Sequence, residues 1–102
     1  MPRIIKRSGI REQFNEDKIR RGVLRSIEKR QITTEQFEAL IERIKLRLSN
    51  SGENEIDAST IGATVLDELL TLDEVAYVRF ASVYKGFDNI QQFLEVIDNI
   101  KK

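Results

Sequence analysis

The stretch Arg3 to Gly22, RIIKRSGIREQFNEDKIRRG, decides how the 102-residue chain is read. Residues 3–7 and 11–14 are strand-like runs, and Ser8-Gly9 supplies the turn between them, so the stretch opens as a β-hairpin over residues 3–14. Asn15 then suits a helix N-cap, with Glu16 and Asp17 in the first turn and Ile19, Val23 and Ile27 on one face. A three-residue loop (Ser8, Gly9, Ile10) would pair Lys6 with Glu12 and Ile4 with Phe14. A two-residue loop would place the two sets on opposite faces. The first is preferred because it joins apolar residues and sets cation beside carboxylate. One face then carries an apolar slot next to a Lys/Glu pair, with Lys18 nearby. Such a slot suits a base, a carboxylate suits a ribose hydroxyl, and lysines at a helix N-terminus suit phosphates. The plainer reading is a solvated basic edge.

Outward from this stretch the chain reads as mostly helical. Helices are expected at about residues 15–30, 34–50, 58–72, 73–86 and 88–101. Gly22 sits mid-helix, where a glycine costs roughly 1 kcal/mol against alanine; a close neighbour or a ligand is one reason for it and plain tolerance the other. Thr33-x-x-Gln36 resembles a capping box, and Phe37, Leu40, Ile41, Ile44 and Leu48 form the next stripe, ended near Gly52. Residues 53–56 read as a short extended piece, a candidate third strand. Asp57 or Ser59 caps a helix with Ile61, Val65, Leu69 and Leu72 on its face and a slim Gly62-Ala63 first turn. In the following helix Val75, Ala76, Phe80, Val83 and Phe87 are expected to face the core; Tyr77 is read as packing and Tyr84 as closing a pocket. Asp88-x-x-Gln91 caps the last helix, whose stripe is Ile90, Phe93, Leu94, Ile97 and Ile100.

Composition narrows the chemistry. The chain is 40% hydrophobic and 33% charged, has no run of membrane-spanning length and shows no signal peptide, so a cytoplasmic single domain over residues 1–102 with no membrane partner is expected. Cysteine and histidine are absent, which removes disulfides, thiol nucleophiles, imidazole bases and the usual zinc ligands. Net charge is zero but divided. Residues 1–30 hold ten Lys/Arg and four Asp/Glu, a net of +6, which leaves seven against thirteen, or −6, in residues 31–102. General nucleic-acid binding does not fit a chain that is not basic overall.

Two segments carry a resemblance. KRSG with Glu12, Phe14 and Lys18-Ile19 resembles the opening of the ATP-cone, the nucleotide-sensing module of ribonucleotide reductases and of the bacterial repressor of their genes (NrdR). The family's usual Lys-Arg-Asp-Gly has Ser8 here instead of aspartate. DEVAYVRFASVY, from Asp73 to Tyr84, is similar to the repressor's cone in particular. The resemblance implies an α+β, mostly α fold: a bundle of four to five helices capped by a small three-stranded sheet with an N-terminal β-hairpin. It implies a non-catalytic sensor of ATP and dATP, with Mg2+ accompanying the nucleotide, acting on the oligomeric state of a homo-oligomer. By position it assigns Lys6, Arg7 and Lys18 to the phosphates and Glu12 to the sugar. Ile4, Phe14 and Ile19 fall to the base, with Ser59 and Tyr84 at the rim, and Gly22 joins the nucleotide-binding set. The repressor's four-cysteine zinc ribbon, which reads DNA, has no counterpart in this sequence, so the chain is either an excised cone or a free-standing one. An allosteric cone of a reductase, and a helical interaction module without ligand, are the alternatives.

Overall fold

In a computed structural model of the chain, the structure describes residues 3–5, 11–13, 15–50, 55–86 and 89–101. Along the sequence run β1 (Arg3–Ile5), β2 (Arg11–Gln13), α1 (Glu16–Ser26), α2 (Thr34–Ser49), β3 (Glu55–Asp57), α3 (Ala58–Leu72), α4 (Glu74–Lys85) and α5 (Ile90–Lys101). The expected residues Lys6, Arg7, Phe14, Gly52, Phe87 and Asp88 lie outside the described residues.

α2 shows most directly why these residues form these elements. Thr33 accepts the Gln36 amide at 3.0 Å while the Gln36 side chain accepts the Thr33 amide at 2.8 Å, so two amides at the helix start are satisfied reciprocally. Phe37, Leu40, Ile41, Ile44 and Leu48 are all buried. Around them the centre of the core closes with Val23 of α1 and Val65 and Leu69 of α3, none more than 1% exposed. Charges clamp the same helices at the surface. Arg20 takes both carboxylate oxygens of Glu38, at 2.7 and 2.8 Å, and lies over the Phe37 ring. Arg43 and Arg47 of α2 hold Glu68 of α3.

α1 ends at Ser26, short of residue 30. The chain reverses through Lys29, whose φ of 61° is left-handed, and no helix passes through such a residue. Arg79 fixes the reversal by donating to the carbonyls of Ser26 and Glu28, at 3.3 and 2.7 Å. α3 and α4 share a joint of a single residue. Asp73 is the C-cap of one and the N-cap of the other, accepting the Ala76 amide at 2.9 Å and holding Arg30 through two contacts of 3.0 Å.

The expected fold class is corrected in its β part. Five helices of 11 to 16 residues stand against strands of three residues each, so the domain is a helical one rather than a bundle under a sheet cap. The strands pair as a ribbon in the order β2–β1–β3 that meets the helices chiefly where β3 runs into α3. Its register also differs from the expected one. Ile4 lies opposite Glu12, not Phe14; the expected partner of Glu12, Lys6, lies outside the described residues. β1 also pairs with β3 in parallel, placing Ile4 opposite Ile56, and a reading of the hairpin alone omits that constraint.

Two helical faces are corrected as well. Val75 and Val83 are 38% and 85% exposed, while Ala76, Tyr77 and Ala81 are the buried residues of α4. Val83 stands one turn beyond Phe80, at the open edge between α1 and α4. Among the described side chains of α5, Val96 is buried, Ile97 and Ile100 are half-buried, and Ile90 and Leu94 are exposed. α5 packs mainly on α4, and a helix with one principal neighbour buries only a narrow stripe. Its first turn is capped by Asn89, which accepts the Gln92 amide.

Asp73 gives the fold a direct test. Arg30 beside it, with the Ala76 amide, holds its carboxyl below the ordinary 3.8 despite partial desolvation. A depressed carboxyl stabilises fully above its unfolded pKa, and that contribution is lost as the pH falls through the folded value. Asp73→Ala is expected to cost about 1–2 kcal/mol in urea melts at neutral pH. The gap from the native chain should narrow once the pH is taken below 3.8.

Candidate functional site

Two helix starts open onto one cavity. Asn15, Lys18 and Ile19 from the beginning of α1 face Ala58, Ile61 and Gly62 from the beginning of α3, and Val65, Phe80 and Tyr84 complete a mostly apolar lining around about 190 Å³. Asn15 caps α1 by accepting the Lys18 amide at 3.4 Å, whereas Asp57, at the N-cap of α3, makes no side-chain cap bond. Both helices thus bring the positive ends of their dipoles to the same place. The Glu16 carboxyl in the first turn of α1 is engaged away from the cavity's lining residues. Arg20 and then Lys45 hold the Glu16 carboxyl below the usual carboxylate range, through contacts of 2.7 and 3.0 Å.

Tyr84 sets the shape of the cavity. Its ring lies so close to Gly62 that a Cβ added there would come within 2.1 Å of the ring carbon bearing the hydroxyl. The hydroxyl donates to the Ser59 carbonyl at 3.2 Å and more weakly toward Ala58 at 3.5 Å. Behind it the ring stacks on Phe80, with centroids 6.1 Å apart and planes 25° from parallel. On the far side of Phe80 is Gly22, where a Cβ would come 3.3 Å from the ring edge.

Of the residues expected at a site, the structure brings together Lys18, Ile19 and Tyr84 on the cavity and Ser59 at its edge through its carbonyl. Gly22 lines a neighbouring groove between α1 and α4 instead. Ile4 and Glu12 are placed by strand register alone. That register sets Ile5 opposite Asp57, the residue before α3, so the ribbon is anchored at the α3 wall of the cavity. Lys6, Arg7 and Phe14 lie outside the described residues. The sequence reading had not placed Asn15, Ala58, Ile61, Val65 or Phe80 at the site. The Phe80/Tyr84 spacing of four residues, which makes one helical face of two aromatics, was the signal for the last.

Chemically the cavity is built to bind. Among the described residues that line it, Lys18 and Tyr84 are the ionisable ones and none is a carboxylate. Apolar walls and an aromatic face suit a flat heteroaromatic ring; two helix starts and a lysine suit an anion. Among the described residues no three acidic side chains gather as a metal site.

A family model described as the ATP cone domain matches residues 2–90. The chain belongs to the ATP-cone family. The cone binds adenine nucleotides and is a regulatory, nucleotide-sensing domain rather than a catalytic one. The cavity has the character this needs, with an apolar slot for the base and positive helix ends for the phosphates. No helix among its described residues is long and apolar enough to cross a membrane.

The contact between Gly62 and Tyr84 makes the shape of the cone's cavity testable. Alanine at position 62 is favoured by roughly 1 kcal/mol of helix propensity, yet its methyl group would occupy the space of the Tyr84 ring. Gly62→Ala should therefore displace the ring, seen as a large change in the Tyr84 ring proton shifts, while the helical circular dichroism is retained. Unchanged shifts would contradict the placement of Tyr84.

Proposed function

We propose that this ATP cone reads the balance of ATP and dATP for a repressor of ribonucleotide reductase genes. In this reading, nucleotide sets the oligomeric state of a homo-oligomer in the cytoplasm and, through it, the DNA binding of a larger protein whose zinc ribbon is not part of this sequence. The observation that carries the binding half is the cavity where the starts of α1 and α3 meet beneath Tyr84, with Lys18 at its edge. Lys6, Arg7 and Lys18 take the phosphates, Glu12 the sugar hydroxyls, and Ile4, Phe14 and Ile19 the base. Magnesium enters with the triphosphate. The repressor is favoured over an allosteric cone of a reductase by DEVAYVRFASVY, residues 73–84.

Isothermal titration with ATP and dATP tests the site. A charge-assisted contact of about 1.5–3 kcal/mol corresponds to tenfold or more in affinity. Lys18→Ala and Lys6→Ala should each weaken both nucleotides at least about tenfold with helical circular dichroism unchanged. Glu12→Gln should weaken both and change their ratio, because ATP carries one more ribose hydroxyl than dATP. Native affinity in both lysine variants would remove the phosphate assignment, and steady phosphate release would contradict the sensor reading.

A further inference from the structure

On the other side of the Phe80–Tyr84 pair a groove of about 290 Å³ runs between α1 and α4, lined by Gly22, Arg25, Ser26, Arg79, Phe80, Val83 and Tyr84. Apolar surface dominates it, and Val83 is left 85% exposed. Arg79 is held beside the groove by the carbonyls at the end of α1, and Arg25 is exposed and makes no ion pair with a described residue. The groove is therefore apolar between two cations.

α5 presents the converse surface. Ile90 and Leu94 are 74% and 50% exposed and lie one turn apart, with Asp98 one turn further along the same line and Glu95 beside it, both exposed. Before its last residue, Lys101, the helix contains no lysine or arginine. This is an apolar and acidic helix face of the kind that seats in a groove by anchors spaced three and four residues apart.

We propose that the occupant of the groove is α5 of a second copy of this chain. Leu94 and Ile90 cover Phe80 and Val83, and Asp98 and Glu95 meet Arg25 and Arg79. Both halves of the complementary pair are carried by one sequence whose net charge is zero and whose first thirty residues are +6 against −6 in the rest. The contact joins two different faces, so it closes into a ring or extends through further copies. Tyr84 lines both the groove and the nucleotide cavity, which lets an occupant of one act on the other. The inference rests on the self-association proposed above and assigns it a surface.

Charge exchange, measured by sedimentation velocity over a concentration series without nucleotide, tests it. The native chain should associate. Arg25→Glu alone, and Glu95→Lys with Asp98→Lys, should each weaken association at least about tenfold while helical circular dichroism is unchanged. Mixing the two variants should restore association as a one-to-one complex, because the unaltered α5 of the first variant then meets the unaltered groove of the second. A native oligomer that neither variant weakens would overturn the surface and leave self-association standing. A native chain that stays monomeric would remove both, and nucleotide titration of the same sample would still judge the cavity separately.

Discussion

Two glycines on different helices fix where α4 can lie. Phe80 packs on Gly22 of α1, Tyr84 packs on Gly62 of α3, and the two rings stack on each other one turn apart. Side chains at positions 22 or 62 would push α4 outward, and with it the wall that separates the cavity from the groove. The closeness of packing that gives this small domain its core is thus also what shapes its ligand site. Both features depend on residues that contribute no side chain at all.

How much of this the sequence disclosed follows from how many neighbours each element has. α2 is buried along its full stripe, so all five of its apolar positions were legible, as was the Thr33–Gln36 cap, which needs only local geometry. α5 rests mainly on one helix, and periodicity alone could not say which apolar residues it would leave outside. The strand register was misread because β1 serves two partners, and the second arrives more than forty residues later. Lys18, Ile19 and Tyr84, expected at a nucleotide site from pattern and resemblance, line one cavity. Gly22 was grouped with them because a mid-helix glycine suggests a close neighbour or a ligand. One helical turn carries it to the other side of the aromatic pair.

Charge behaves differently in space than along the chain. Part of the basic excess of residues 1–30 is spent at short range: Arg20 on Glu38 and Glu16, Arg30 on Asp73. These pairs are only partly buried, and pairs of that kind contribute little to stability one by one. Their consequence is positional. They draw α1 onto α2 and α4 and leave Lys18 and Arg25 facing solvent on opposite sides of the aromatic pair.

The single-residue joint at Asp73 has an evolutionary reading. Each residue in an α-helix turns the chain by roughly 100°. One residue gained or lost between α3 and α4 would rotate Phe80 and Tyr84 off both of their glycines at once. Length variation among descendants of this chain should therefore be excluded from this joint. The span from β3 to the end of α4 should be inherited at fixed length, as a ruler whose spacing matters more than most of its side chains.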